Sequence, residues 1–175
     1  NIVVGTINVN GYSIPPSISD VDFMCGIDGK SDVEVIQEAI NASRNHSRII
    51  LKKGNYSIDA PIYMYGGNHA DKLSGEQMSV RPTLKFSNNG IITSRSSSSD
   101  SKLYHSLYFE NIAMELTPQL CIEGAGIYFD NTYSRLDVTT AQNLGSTPIK
   151  SSGLFKVKNG SSINLWIRSS SSYIC

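Results

Sequence analysis

The sequence predicts an all-β protein in which short parallel strands wind into successive coils behind one N-terminal helix. Three observations predict it: one capped amphipathic helix near residue 32, short strands that alternate apolar and polar residues, and the return of a similar strand pair every 24 to 28 residues or so. A β-sandwich is the alternative fold, since short alternating strands also suit it. The sandwich explains neither the helix nor the repeat.

The helix is expected to follow an Asp28-Gly29 turn, in which Asp bonds to its own backbone and Gly accepts a positive φ. Ser31 and Glu34 have the spacing of a capping box, so the helix should begin near Asp32 and end at residues 45–47. Its apolar stripe consists of Val35, Ile36, Ala39 and Ile40. Because so short a helix is marginal alone, the stripe should pack on the open end of a stack of strands.

The second half of the chain repeats two short strands per round. The pairs are residues 107–109 with 112–116, 127–129 with 136–138, and 155–157 with 163–167. Alternation with period two predicts six inward side chains: Phe109, Met114, Phe129, Val138, Val157 and Leu165. In a stack of coils, Phe129 should lie next to Val157, and Val138 next to Leu165.

The segment Cys25–Ile40, with the strand and glycine turn of Ile49–Ile58, resembles the opening of the pectate-lyase-like right-handed parallel β-helix superfamily. It is most similar to the N-terminal part of phage tail-spike and tail-fibre proteins, and the strong match runs from Ser19 to Met64. Met24-Cys25 replaces the usual Gly-Ala of that family, and Val33 replaces the second residue of an Asp-Asp pair. The resemblance implies a right-handed parallel β-helix whose helix caps the first coil.

Two regions and two loops complete the predicted organisation. Residues 1–20 are expected to form an extended arm, because Pro15-Pro16 argues against a helix. Residues 21–175 are expected to hold the capping helix and the first coils, with the last coil cut short in mid-pattern because no polar cap follows it. The stretch from Tyr65 to Pro82 is expected to be a loop outside the core, and the serine run Ser94–Asp100 a solvated loop.

Composition limits the classes of function. The chain has 15 basic and 15 acidic side chains among 175 residues and no basic run, which gives no support for binding to nucleic acid. Its three cysteines, Cys25, Cys121 and Cys175, have neither a disulfide-framework nor a zinc-site spacing. No apolar run approaches the ~20 residues needed to span a membrane. Neither a metal nor another cofactor is predicted, and no Asp cluster matches the calcium-binding pattern of the lyases in this superfamily.

The outward positions of the strands hold the candidate catalytic residues, Glu110 and Asp130. If they fall on adjacent coils, the two carboxylates lie close enough to act as a pair, which is the arrangement that glycoside hydrolysis requires. The alternative is that both are solvated surface charges.

Tyr128, Trp166 and Arg168 are the candidate substrate-binding residues. An outward tryptophan beside Asn164 and Arg168 offers a flat apolar plate next to hydrogen-bonding groups, which suits a sugar. The alternative is that Trp166 is covered by a loop or by a neighbouring subunit.

The predicted function follows from the resemblance. It implies a structural and receptor-binding part of a viral tail spike or fibre, extracellular on the virion, that recognises host surface polysaccharide and assembles as a homotrimer. One alternative is a secreted polysaccharide lyase or glycoside hydrolase of the same superfamily. Another is a bacterial surface adhesin, which has the same fold signature.

Overall fold

A computed structural model describes residues 6–10, 22–24, 29–43, 47–65, 70–77, 79–87, 89–136, 148–159 and 161–163. One helix, α1, spans Asp32–Ala42. The strands are β1 (Thr6–Asn10), β2 (Asp22–Met24), β3 (Arg48–Leu51), β4 (Asn55–Ile58), β5 (Pro61–Tyr63), β6 (Lys72–Gly75), β7 (Thr83–Phe86), β8 (Ile91–Thr93), β9 (Leu107–Glu110), β10 (Ala113–Leu116), β11 (Ile122–Gly124), β12 (Ile127–Asp130), β13 (Tyr133–Leu136), β14 (Ile149–Ser151), β15 (Phe155–Lys158) and β16 (Ser162–Ile163).

The strands form three stacked parallel sheets, and the chain folds as a right-handed parallel β-helix with an N-terminal helix. Sheet A has the order β15-β12-β9-β6-β3-β1-β2, sheet B the order β16-β13-β10-β7-β4, and sheet C the order β14-β11-β8-β5. Each full coil therefore adds one strand to each sheet, for example β9, then β10, then β11. The prediction of two strands per round was wrong, because the strands of sheet C are only three residues long and carry little alternation.

The core is built from inward side chains that stack from coil to coil. In sheet A, one inner column runs through Ile49, Leu73, Phe109, Phe129 and Val157. The Phe109 and Phe129 rings stack with their centroids 5.5 Å apart, and both residues are buried. Val157 lies opposite Phe129, as predicted, but it is 44% exposed because β15 is the last strand of sheet A in the described part of the chain.

The predicted register of sheet B was wrong at one coil. Met114 is buried, as predicted, but its partner on β13 is Ser134, twenty residues later, whereas the repeat had been aligned on Val138. The same twenty-residue step separates Phe109 from Phe129 in sheet A, so this coil is shorter than its neighbours. Val138 and Leu165 lie outside the described residues, so their predicted contact stays a prediction.

The capping helix forms as predicted. Ser31 accepts from the backbone N–H of Glu34, and the Glu34 carboxylate accepts from the backbone N–H of Ser31 at 2.7 Å. The predicted stripe is buried, and α1 packs on β1, β2, β4 and β5. The helix ends at Ala42 rather than at residues 45–47, because the Ser43 hydroxyl donates to the Ile40 carbonyl and its N–H does the same.

Two polar side chains of α1 also complete the edges of the first coil. The backbone N–H of Ser57, on edge strand β4, donates to Asp32 Oδ2 at 2.7 Å. The backbone N–H of Tyr63, on edge strand β5, donates to Gln37 Oε1 at 2.8 Å, and Gln37 Nε2 donates back to the Tyr63 carbonyl at 3.1 Å. The helix therefore satisfies backbone groups that an open sheet edge would leave unpaired.

The stretch from Tyr65 to Pro82 is not only a loop, contrary to the prediction. It contains β6, which pairs with β3 and β9 in the middle of sheet A. Leu73 is fully buried in the core, as is Ala70 just before the strand. A strand with one large apolar residue gives almost no periodic signal, so the sequence pattern missed it.

The serine run Ser94–Asp100 is more ordered than a solvated loop. Ser94 is fully buried, and the Arg95 side chain lies against sheet C. Asp100 accepts hydrogen bonds from the Ser96 hydroxyl, the Lys102 backbone N–H and the Tyr104 hydroxyl, which together lower the pKa of Asp100 to about 2. The serines therefore serve a compact turn, and only its tip at residues 98 and 99 is exposed.

Candidate functional site

The outward face of sheet A carries two columns of polar and aromatic side chains. The first column runs through Arg48, Lys72, Tyr108, Tyr128 and Lys156, which are register partners on β3, β6, β9, β12 and β15. The second column runs through Ile50, Ser74, Glu110, Asp130 and Lys158 on the same strands. Because parallel strands lie about 4.8 Å apart, members of one column are immediate neighbours along the axis of the β-helix.

The centre of the first column is a pair of stacked tyrosines. The rings of Tyr108 and Tyr128 lie 4.6 Å apart and within 13° of parallel, and Lys72 Nζ lies 5.7 Å from the centroid of the Tyr108 ring. Burial raises the pKa of Tyr108, with smaller effects of Tyr128 and Asp71, so its hydroxyl stays protonated at physiological pH. The rings face each other, and the pair therefore presents ring edges and hydroxyls rather than one broad flat plate.

The centre of the second column is the predicted pair of carboxylates. Glu110 and Asp130 are direct register partners on β9 and β12. Glu110 Oε2 lies 3.4 Å from Arg48 Nη1 and accepts from the Ser74 hydroxyl at 3.1 Å. Asp130 Oδ1 accepts from Asn159 Nδ2 at 2.6 Å. Both carboxylates are half-buried and already engaged by neighbouring polar groups.

Three asparagines hold the strands of this face in position. Asn111, Asn131 and Asn159 follow β9, β12 and β15, and each has a positive φ, between 48° and 54°. Asparagine tolerates this left-handed conformation better than most residues because its short side chain can bond locally. Asn131 Nδ2 donates to Asn111 Oδ1 at 2.8 Å, which links the turns of successive coils. The turns therefore repeat, and the residues before them, Glu110, Asp130 and Lys158, lie in line at the same end of their strands.

These side chains line a partly open groove of about 260 Å³. Its lining comprises Lys72, Tyr108, Phe109, Glu110, Tyr128, Phe129, Asp130, Lys156 and Lys158. The groove combines aromatic edges, carboxylate acceptors and ammonium donors along one line. Such a surface can hold an extended ligand rich in hydroxyl groups.

A second polar cluster lies on sheet C, around Glu123. Its carboxylate, 1% exposed, is bound bidentately by Arg95, at 2.6 Å from Nε and 2.8 Å from Nη2. Lys150 Nζ lies 3.1 Å from Oε1, and the Thr93 hydroxyl donates to Oε2 at 3.4 Å. Hydrogen bonds from Arg95 lower the pKa of Glu123, and those from Lys150 add to the effect. The role of this cluster is to fasten the serine-rich turn to the sheet.

The structure brings three of the five predicted site residues together. Glu110, Asp130 and Tyr128 all line the groove. Trp166 and Arg168 lie outside the described residues. The structure adds Lys72 to the site, together with Arg48 and Ser74 as partners of Glu110. Lys72 and Ser74 were missed because the stretch that contains them was interpreted as a loop.

In the described ranges, no group of three or more His, Cys, Asp or Glu side chains is placed to hold a metal ion. Cys121 is a free, buried thiol, whereas Cys25 and Cys175 lie outside those ranges. None of the helical residues described here forms a segment long and apolar enough to cross a membrane.

No protein-family model, curated protein or solved structure matches this chain.

Proposed function

We propose that this chain is the cap and first coils of a surface-exposed β-helical protein of the tail-spike or tail-fibre type, which binds host polysaccharide along the groove of sheet A. The observation that carries the proposal is the stacked Tyr108–Tyr128 pair, set in a groove between lysines and carboxylates. Fold alone does not assign function, so the proposal depends on this face. The viral assignment depends on the resemblance of the cap segment.

A polysaccharide suits the groove for two reasons. The columns run along the axis of the β-helix, so an extended chain lying on them meets one pair of outward side chains at each coil. Tyrosine hydroxyls, ammonium groups and carboxylates supply donors and acceptors for sugar hydroxyls, while the tyrosine rings add apolar contact area.

Hydrolysis of the bound glycan is the second candidate function. It is favoured by the direct register of Glu110 and Asp130, since carboxyl groups about 5–5.5 Å apart are the arrangement of retaining glycosidases. Against it, Oε2 of Glu110 is already engaged by Arg48 and Ser74, so this oxygen is not free to act on a glycosidic bond. Binding without turnover is therefore the leading proposal.

The test is an array of bacterial capsular and lipopolysaccharide-derived glycans, with the intact chain compared with Tyr128→Ala. We expect binding of at least one glycan and a loss of about tenfold in affinity in the variant, because truncation removes the ring. The matched control is Tyr133→Ala, which removes a 41% exposed tyrosine from sheet B and should leave binding unchanged. Circular dichroism melts of both variants confirm that they remain folded.

Two results would contradict the proposal. Absence of binding across the array would remove the glycan-binding function. Release of reducing ends that Glu110→Gln and Asp130→Asn both abolish would establish the hydrolase instead.

Immunogold labelling of phage particles and of bacterial cells separates the tail-spike assignment from that of a bacterial adhesin.

A further inference from the structure

We propose that the groove on sheet A is specific for an acidic glycan in which two neutral sugars separate the carboxylated ones. This proposal rests on the glycan-binding function proposed above, and it specifies the class of ligand.

The first step is the charge of the two columns. They carry four basic side chains, Arg48, Lys72, Lys156 and Lys158, against two carboxylates, Glu110 and Asp130. The whole chain has a formal net charge of zero, so this face has an excess of positive charge that the rest of the chain balances. A groove with such an excess attracts anions.

The second step is that the two carboxylates of the groove already have protein partners, whereas two of its lysines have no carboxylate partner in the part of the chain that the structure describes. Glu110 is bound by Arg48 and Ser74, and Asp130 by Asn159. Within the described residues, Lys156 and Lys158 are exposed and have no carboxylate oxygen within ion-pair distance. The ammonium groups of Lys156 and Lys158 are therefore available to pair with negative charge on a ligand.

The third step is the spacing of the charges. Lys72 and Lys156 stand at the two ends of the tyrosine pair in one column, three strand spacings apart, which is roughly 14 Å. Between them the ligand passes the uncharged tyrosines, with Glu110 and Asp130 alongside. A ligand carboxylate at this central position would be repelled by the two protein carboxylates. Since one sugar advances a chain about as far as one strand spacing, the groove favours carboxylated sugars near its ends and two neutral sugars over its centre.

The experiment uses the intact chain and an immobilised panel of capsular polysaccharides of three kinds. These are heteropolymers in which two neutral sugars separate the uronic acids, homopolymers with a carboxylate on every sugar, and carboxyl-reduced derivatives of the heteropolymers. We expect the heteropolymers to bind best. Carboxyl reduction should weaken binding about five- to tenfold, and added salt should weaken it progressively.

Charge variants test the residues that carry the proposal. Lys156→Gln should weaken binding of the acidic heteropolymer about two- to fivefold and weaken binding of its reduced form less, whereas Lys156→Arg should retain the affinity. The control is Lys85→Gln, since Lys85 is likewise exposed on an outward strand position, but on sheet B. It should bind as the wild type does.

The outcomes separate this proposal from the one on which it rests. Equal binding of the acidic and carboxyl-reduced heteropolymers would overturn the acidic specificity while glycan binding stands. Preference for the homopolymers would overturn the proposed spacing of the carboxylates. Binding to no member of the panel would contradict the glycan-binding function itself, and with it this inference.

Discussion

At the residue scale, Glu123 shows how one buried carboxylate fastens a loop to the β-helix. Thr93, Glu123 and Lys150 are register partners on β8, β11 and β14, and Arg95 reaches Glu123 from the serine-rich turn. A carboxylate this deeply buried is tolerated only when it is paired, and a bidentate arginine is the strongest common partner. The Arg95–Glu123 pair therefore holds the start of the serine-rich turn against sheet C.

Glu123→Gln should lower the free energy of unfolding by about 2 kcal/mol near neutral pH, since it removes charge-assisted bonds to Arg95 and Lys150. The folded-state pKa of Glu123 is depressed, so its stabilisation is complete above the ordinary value of 4.5 and is lost as the pH falls through the lower folded-state value. The difference between wild type and variant in urea unfolding should therefore shrink in acid.

The control for this prediction is Glu115→Gln. Glu115 is exposed on sheet B and lies 3.9 Å from Lys85, so its loss should cost well under ~1 kcal/mol at any pH. A difference between wild type and Glu123→Gln that stays constant from neutral pH to about pH 3 would show that the charge of Glu123 does not contribute to stability.

At the element scale, the capping helix is the part of the fold that the sequence predicts best. Its start is encoded locally by Ser31 and Glu34, and its stripe by apolar residues at helical spacing, so neither depends on distant contacts. Its function as a cap depends on contacts that are distant in sequence. Asp32 and Gln37 must meet the edge strands β4 and β5, and only the folded coil reveals these contacts.

Ile36→Asp should prevent stable folding. Ile36 is fully buried where α1 packs on the first coil, and burying it contributes ~1.5–3 kcal/mol. The variant loses this and also places a carboxylate without a partner in the core, which costs several kcal/mol more. Glu38→Ala, on the exposed face of the same helix, removes only the Lys30 ion pair and should cost ~1 kcal/mol or less. Cooperative thermal unfolding of Ile36→Asp at the wild-type midpoint would refute the role of the cap.

Strands whose own residues indicate how they pair were predicted correctly, and strands whose residues do not were missed or misaligned. The repeats at Phe109, Phe129 and Val157 share an apolar residue between polar or aromatic neighbours, and their predicted alignment in sheet A is confirmed. Strand β6 escaped prediction because its place in the sheet comes from its partners β3 and β9. In sheet B the register was misjudged because an inward serine, Ser134, faces Met114 where an apolar residue was expected.

The candidate site was predictable only in part, for a related reason. Alternation within β9 and β12 showed that Glu110, Asp130 and Tyr128 face outward, and the repeat placed them near each other. The partners of Glu110 could not be predicted, because Arg48 and Ser74 are 62 and 36 residues away in sequence. Such contacts depend on the number of residues in each turn between strands, which the periodic pattern does not contain.

At the scale of the whole molecule, the stack leaves apolar side chains in contact with solvent. In the described part of the chain, Leu154 and Val157 are 48% and 44% exposed, and both lie at the end of sheet A. Phe155, between them in sequence, is only partly buried, and both Phe155 and Val157 occupy inward positions of sheet A, opposite Ile127 and Phe129. A further layer of the stack or another chain would cover such side chains.

Self-association as a trimer is therefore the prediction for the assembled protein. The trimer is what the predicted resemblance to tail spikes implies, and a formal net charge of zero means that association meets little electrostatic repulsion. Sedimentation equilibrium of the full-length protein at about 10 μM should give three times the mass of one chain, well above the dissociation constant of a stable assembly. Leu154→Glu with Val157→Glu should shift the population toward the monomer, whereas Lys53→Glu, at an exposed position near the opposite end of the stack, should not. A wild-type protein that sediments as a monomer at this concentration would refute the prediction, because a β-helix that needs a partner to cover its apolar surface would not remain dispersed.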